Sequence, residues 1–309
     1  MKKAAIAGVG ADGSIYEWRA SFRTIAYARV IKTLQVYQGK RFLFLGFMRF
    51  LTSIALWLKP KKTISIRIHE LDFLLNPQDD VMTPQILVHR TYEPKETSLI
   101  QRAVKPGMNF IDLGANIGYF TLLASRCVGS EGKVYAFEPE DLNYQYLTEN
   151  IRRNNAQNVR AIRKAVLNHP GTVSLFLDKG NLGAHTISKQ NIETAYHRTV
   201  QVDAVTFDDF FENENIKVDF VKMDLQGAEG LVLEKAVRMI RRFPMKILME
   251  FWPLGLTRAG TDPRNLLTFL DQYFSIQIVG DPAENRTPSE ILQITASSYV
   301  NLFLQKKHG

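Results

Sequence analysis

Cysteine is nearly absent: Cys127 alone stands in 309 residues. No disulfide framework can form within the chain, so a reducing compartment is the default. Cys127 lies on the apolar side of a helical stretch with no histidine near it in sequence, which reads as a packed thiol rather than a nucleophile. Six histidines occur without metal-ligand spacing, so no structural metal is expected. Long apolar runs are missing too. The best, residues 42–58, carries Arg49 in its middle and is too short and too polar for a confident membrane span. A secretory leader is poorly supported, because the apolar run after Lys2 and Lys3 is short and interrupted by Asp12. No internal repeat or low-complexity stretch stands out.

What is present is ordinary soluble composition, 45% hydrophobic and 23% charged, in a length that allows one large domain or two small ones. The net charge of +8 is unevenly placed. Residues 1–62 hold twelve Lys/Arg against Asp12 and Glu17, a balance of +10, which leaves the remainder at −2. The basic character therefore belongs to an N-terminal arm. A phosphate backbone would favour a basic groove in the domain that bears the site, so nucleic acid is disfavoured as a partner.

The chain is organised around residues 109–118. Phe110, Ile111 and Leu113 make a short strand-like run, Asp112 sits near its carboxyl end, and Gly114 and Gly118 follow. Tyr119, Phe120, Leu122, Leu123 and Ala124 then repeat at helical spacing. Strand, glycine turn and helix form the unit that presents backbone to a nucleotide-like ligand, although the same pattern also serves as a purely structural turn. A second buried-type strand, residues 133–137, ends at Glu138, about 20 residues beyond the glycine loop, where a ribose-binding acid is expected. The loop is not Gly-x-Gly-x-x-Gly, and Asp112 would repel a pyrophosphate. A carboxylate there suits a cationic or ammonium-bearing ligand. S-adenosylmethionine carries both a sulfonium and an amino group, so a methyl donor fits better than a dinucleotide.

These residues resemble the FkbM-type methyltransferases. The resemblance rests on Tyr92-Glu93-Pro94 with Glu96, on 104–107, on 110–120, on Phe137-Glu138-Pro139 and on residues 218–229, and it spans about 64–280. Gln226 departs from it, since the family usually shows an acid before that glycine. The resemblance implies an α/β, Rossmann-like, doubly wound and mostly parallel seven-stranded sheet of class I methyltransferases. It also implies S-adenosylmethionine as cofactor and O-methylation of a hydroxyl on a sugar, glycan or secondary metabolite.

A match to the dinucleotide fingerprint at Gly8-Val9-Gly10-Ala11-Asp12-Gly13 is a trap, for no second strand ending in an acid follows it. Residues 20–40 and 42–58 read as helices. The second is either packed on the domain or lies in the membrane plane, with basic flanks on acidic headgroups. Residues 64–68 alternate as a strand with one wet face, and 71–75 and 85–89 are expected to extend a small antiparallel layer around a turn at 76–80. A helix over 96–104 leads into the core. The core elements expected are strand 109–113, helix 117–127, strand 133–138, helix 141–154, strand 159–165, a hairpin near 168–171 and strand 172–177. Residues 178–198 read as a loop over the site, and a strand returns at 199–205. Then come strand 218–224, helix 228–242, strand 247–251, helix 263–273, strand 275–280 and an antiparallel last strand at 298–304. The expected organisation is a basic, partly amphipathic helical arm at 1–62 and a methyltransferase domain at 63–309. The latter divides into a strand layer with lead-in helix at 63–105 and a Rossmann-like core at 106–309.

Cofactor roles fall on the carboxyl ends of the strands. Gly114 and Gly118 let backbone approach the methionine moiety, Asp112 and Asn116 hold its amino group directly or through water, and Glu138 grips the ribose hydroxyls. Asp224, ending the fourth strand, faces the methionyl end and the acceptor. Asp224, Glu229 and His185 are the catalytic candidates, and Glu229 could equally satisfy first-turn amides. Glu250 ends the fifth strand beside Trp252, which could stack on a sugar ring. The competing functions are an NAD-dependent oxidoreductase and a non-catalytic basic membrane- or RNA-binding protein with a Rossmann-like domain. The expected partners are a small-molecule or glycan acceptor and peripheral membrane contact through residues 20–62. The expected location is the cytoplasm, either free or associated with the inner face of the membrane.

Overall fold

A computed structural model describes residues 6–9, 15–18, 22–37, 45–192 and 196–307. It divides into two compact units, Met1–Tyr92 and Glu93–Gly309. The division falls within the stretch 63–105, so the strands at 64–75 belong with the arm that precedes them.

In the first unit, β1 (Ile6–Val9) pairs antiparallel with β2 (Ile15–Trp18), Ile6 opposite Trp18. Gly8 and Val9 therefore lie in a two-stranded ribbon, not in the strand–loop–helix unit that a dinucleotide requires, and Gly10 to Gly13 lie outside the described residues. Helices α1 (Phe22–Tyr37) and α2 (Leu45–Leu58) follow. β3 (Ile64–Ile68) and β4 (Leu71–Leu75) pair antiparallel across His69 and Glu70, both with positive φ, as a two-residue hairpin turn of this hand requires. Ile64, Ile66 and Ile68 are buried opposite Leu75, Phe73 and Leu71. The expected strand at 85–89 is instead the second half of α3 (Met82–His89). The Asp79 carboxylate accepts the amides of Val81 and Thr83 and so starts the helix, which buries Met82, Ile86 and Leu87 at helical rather than alternating spacing.

The second unit opens with α4 (Pro94–Ala103). It continues through β5 (Asn109–Leu113), α5 (Tyr119–Val128), β6 (Lys133–Phe137), α6 (Asp141–Arg153) and β7 (Val159–Ile162). β8 (Ala165–Leu167), β9 (Gly171–Asp178), β10 (Tyr196–Thr206) and α7 (Phe207–Asn213) come next. β11 (Phe220–Met223), α8 (Glu229–Glu234), α9 (Val237–Arg242) and β12 (Lys246–Phe251) complete the central strands. The chain ends with α10 (Pro253–Arg258), α11 (Pro263–Tyr273), β13 (Phe274–Ile278), α12 (Pro288–Ile294) and β14 (Val300–Lys306).

Seven strands form one sheet in the order β13-β14-β12-β11-β5-β6-β7. Only β14 runs against its neighbours, inserted between β12 and β13. The order reverses between β5 and β11, so their carboxyl ends flank the crevice where such sheets bind ligands. This is the Rossmann-like α/β sheet expected. The central strands are buried on both faces, as in Phe110, Ile111 and Leu113 of β5 and Phe220, Val221 and Met223 of β11, which explains why they read as apolar runs without alternation.

Three local expectations need correction. The strand expected over 159–165 breaks at Arg163 and Lys164, and β7 and β8 join different sheets. Around 168–171 the chain does not make a paired hairpin, because β10 lies between β8 and β9 in a separate three-stranded sheet. The helix over 228–242 is two helices. Asp208 accepts the amides of Arg238 and Met239, each at 3.0 Å, and so gives α9 its own start.

Candidate active site

At the end of β5 the chain turns beneath the end of β11. Gly114 has φ +80°, and its amide donates to the Phe137 carbonyl at 3.0 Å. A Cβ at Gly114 would stand 2.2 Å from the Asp224 carbonyl oxygen, and one at Gly118 would stand 2.7 Å from Leu147 Cδ1. A backbone oxygen thus fills the space at Gly114, while at Gly118 the neighbour is the end of a leucine side chain and the φ of +88° is what favours glycine. The two glycines set the path of the loop and place the next residues at its rim.

Asn116, also at positive φ, donates its amide to Glu138 Oε2 at 2.8 Å, and the Glu140 amide donates to Glu138 Oε1 at 2.9 Å. Glu138 is buried at the end of β6, and burial pushes its carboxyl up to about 8 against the pull of those two amides. Each carboxylate oxygen keeps a second lone pair. The Oδ1 atoms of Asn116 and of Asn143 are buried and unpartnered among the described residues. Asn143 links the site to the following loop by donating Nδ2 to the Leu182 carbonyl at 2.8 Å.

Asp112 is fully buried. Thr121 Oγ1 donates to its Oδ2 at 2.6 Å, Oδ1 is unpartnered among the described residues, and burial raises its pKa although Lys222 opposes the rise. Lys222 is the residue that sequence reasoning passed over. It stands directly opposite Asp112 in the β5–β11 register, with Nζ 3.5 Å from Asp224 Oδ2 and 4.9 Å from the Phe120 ring centre. Burial acts to lower its pKa, but the Asp224 and Asp112 carboxylates more than restore it. A lysine in the otherwise apolar Phe220-Val221-Lys222-Met223 strand was the available signal.

Asp224 is partly exposed, and its Oδ1 accepts Gln226 Nε2 at 2.8 Å. The departure at Gln226 thus fastens Asp224 through an amide dipole. Glu229 accepts the Leu225 amide on Oε1 at 2.7 Å and the Gly227 amide on Oε2 at 3.1 Å; burial raises its carboxyl to about 7. Its carboxylate fastens the loop after β11. His185 accepts the Asp178 amide on Nδ1 at 3.1 Å, which puts its proton on Nε2, and burial lowers its pKa to about 4. The imidazole is neutral at pH 7 with its basic nitrogen already engaged.

Glu250, at the end of β12, is half-buried, and its Oε2 is buried and unpartnered among the described residues. Its pKa is raised well above the usual carboxylate range by burial and by the charges of Asp224, Glu229 and Glu93. Tyr299 is 60% exposed, and partial burial first, then the charges of Glu250, Glu93 and Asp224, raise its hydroxyl pKa. Trp252 packs its ring over Gly255, where a Cβ would lie 2.1 Å from Cε3. The segment 179–192 straps this end of the sheet. Thr186 Oγ1 and Asn191 Nδ2 both donate to the Gln226 carbonyl, at 3.1 and 2.9 Å, and Asn191 also reaches the Gly255 carbonyl. Cys127 is a free, half-buried thiol whose pKa burial raises, and no cluster able to hold a metal ion occurs among the described residues.

The model of the methyltransferase FkbM domain matches residues 112–275, just over half of the chain. The chain belongs to the FkbM methyltransferases. It is 27% identical over 175 residues to the methyltransferase sdnD of Sordaria araneosa, covering 47% of this chain and 67% of that protein. It is 31% identical over 99 residues to the catalytic subunit of the tRNA (adenine(58)-N(1))-methyltransferase of Yarrowia lipolytica, a match over 31% of this chain and a quarter of that protein. A solved FkbM methyltransferase of Methylobacillus flagellatus aligns with a TM-score of 0.41 at 13% identity, over 93% of this chain and 62% of that one. The fold assignment stands on the strand order described above.

As an FkbM methyltransferase the chain is an enzyme that uses S-adenosylmethionine. The residues fit that group: a buried carboxylate with spare lone pairs at β6, and two orphaned amide oxygens on the rim where β5 and β6 end. Among the described residues no helix is long and apolar enough to cross a membrane.

Proposed function

We propose that this FkbM methyltransferase methylates a hydroxyl on an uncharged, polyhydroxylated acceptor, a sugar or glycan or a hydroxylated secondary metabolite. The observation that carries the reading is the unpartnered Glu250 Oε2 beside Asp224, at the carboxyl ends of adjacent parallel strands and across the switch point from the donor side. The cofactor supplies an electrophilic methyl group. Glu138 would hold its ribose hydroxyls, Asn116 and Asn143 would offer their free Oδ1 atoms, and Asp112 would set the negative potential beneath the loop.

A hydroxyl must lose a proton as its oxygen is methylated, and the base works best with a pKa near the working pH. Glu250 takes that proton on Oε2, its basicity raised by burial and by the neighbouring carboxylates. Asp224, held by Gln226 and Lys222, orients the acceptor. Glu229 and His185 act on this step by positioning, the first through the loop amides and the second through the strap. An excess of carboxylates over the one lysine disfavours phosphorylated acceptors, including an RNA backbone. A lone half-buried cysteine agrees with catalysis in the cytoplasm.

The test is transfer of labelled methyl from S-adenosylmethionine to panels of sugars, glycans and hydroxylated metabolites, beside RNA and amines. Transfer to a hydroxyl, reduced at least a hundredfold in Glu250→Gln with S-adenosylhomocysteine affinity kept, is expected. Transfer confined to nucleobases or amines would overturn the reading.

A further inference from the structure

The first unit carries a surface that methyl transfer does not use. Along α2, Ala55 and Leu58 are buried and Leu51 and Ile54 are half-buried, a spacing that turns one helical face inward. The opposite face holds Thr52 and Ser53, then Leu56 at 68% and Trp57 at 73% exposure. Two large apolar side chains thus stand outward at the end of the helix, where the remainder of the described face is polar.

Their setting is basic. Residues 23–62 contain no acid at all, and Lys61 and Lys62 stand exposed just past the helix end. Lys59 is paired with Asp80 and is not part of the exposed charge. Arg23 donates Nε to the Leu58 carbonyl at 3.1 Å and bonds the Trp57 carbonyl, with its guanidinium 5.7 Å from the indole centre. This clamp caps the end of the helix and sets the guanidinium beside the exposed indole.

We propose that the C-terminal tip of α2 docks on a bilayer bearing anionic headgroups, Leu56 and Trp57 entering the interface while Lys61, Lys62 and Arg23 meet the lipid charge. Aromatic and aliphatic side chains rimmed by lysine and arginine match the interfacial region of such a membrane in both chemistry and depth. The contact is peripheral, a single helix tip, consistent with α2 being too short to span. Charge complementarity selects lipid over an apolar protein groove, and the exposed indole selects it over a simple polyanion.

The test is flotation of the full chain with phosphatidylcholine vesicles, with and without 30% phosphatidylglycerol. Beside it run Leu56→Ser/Trp57→Ser and Lys61→Glu/Lys62→Glu, both at exposed positions and so compatible with folding, which an unchanged melting temperature verifies. Binding only to the anionic vesicles is expected, with at least tenfold weaker partition in the apolar variant. Loss of one lysine charge would cost about fivefold, so reversing both charges is expected to weaken partition by more than about 25-fold. Brominated lipid should quench fluorescence in the wild type and lose that effect in Trp57→Phe. Failure to float with anionic vesicles would overturn the proposal. So would partition unaffected by the apolar variant with equal retention on heparin, which would make this a polyanion-binding surface instead.

Discussion

Glu138 should make cofactor binding strengthen as pH rises. Free of ligand, its carboxyl lies at about 8, because burial outweighs the Asn116 and Glu140 amides. In the proposed site ribose hydroxyls would donate to the anion, and each hydrogen bond to a charged group is worth about 1.5–3 kcal/mol. Two of them would lower the bound-state pKa by about 2–4 units, at 1.36 kcal/mol per unit. Binding then releases close to one proton at pH 7, and the Kd of S-adenosylhomocysteine should fall about tenfold per pH unit between about 6 and 8, flattening above. Titration calorimetry at several pH values, in two buffers of different ionisation enthalpy, reads both the affinity and the released proton.

The free protein should show the opposite trend. An acid whose folded pKa is raised contributes full stability below its unfolded pKa near 4.5 and loses it progressively up to about 8, at most about 1.4 kcal/mol per pH unit for one group. Glu138→Gln should flatten both dependences and weaken binding at pH 8 at least tenfold, since its amide end faces a backbone N–H and can accept no bond from it. Affinity that is independent of pH in the wild type, or that rises with pH equally in the glutamine variant, would refute this account of Glu138.

Gly114→Ala should abolish S-adenosylhomocysteine binding and lower the melting temperature further than Gly107→Ala, which shares φ +80° but meets nothing within 4 Å; equal effects would make strain, not the Asp224 carbonyl, the cause. Lys222→Met should cost about 3–5 kcal/mol in urea unfolding, by leaving Asp112 and Asp224 uncompensated. Gln226→Glu sets a second carboxylate where Nε2 now stands 2.8 Å from Asp224 Oδ1, so the variant should lose melting temperature between pH 5 and 8 faster than the wild type. His185 binds a proton less readily folded than unfolded, so the wild type should gain stability as pH rises from about 4 to 6.5; thermal melts of His185→Asn should show that gain reduced.

The parallel core was legible because strands buried on both faces are largely apolar, as Phe110, Ile111 and Leu113 around Asp112 and Val134, Ala136 and Phe137 are. The same logic misled at 85–89, where Ile86 and Leu87 look strand-like and the deciding group, the Asp79 carboxylate, sits before them as a helix start. Asp208 is a distant version of that problem: it breaks one expected helix into α8 and α9 from 30 residues away, beyond the reach of any local pattern. The capping box of Thr287 and Glu290, which starts α12, was readable in the sequence and was missed.

Within the site, the sequence indicated which residues gather at the strand ends but not which of their atoms are already committed. Glu229 and Asp224 are both acids after β11, yet Glu229 spends its two oxygens on the amides of Leu225 and Gly227, while Asp224 stays partly exposed. His185 lends its basic nitrogen to Asp178, whereas Glu250 keeps an oxygen free. Lys222 and Gln226 supply the reason. Glu93, Asp112, Asp224, Glu229 and Glu250 lie close enough for their charges to interact, and one buried lysine cannot neutralise five carboxylates. An acid at 226 would add a sixth. The amide there donates to Asp224 without adding charge, so the excess falls on Glu250, whose Oε2 has no donor among the described residues and whose pKa burial and the neighbouring carboxylates hold well above the usual carboxylate range.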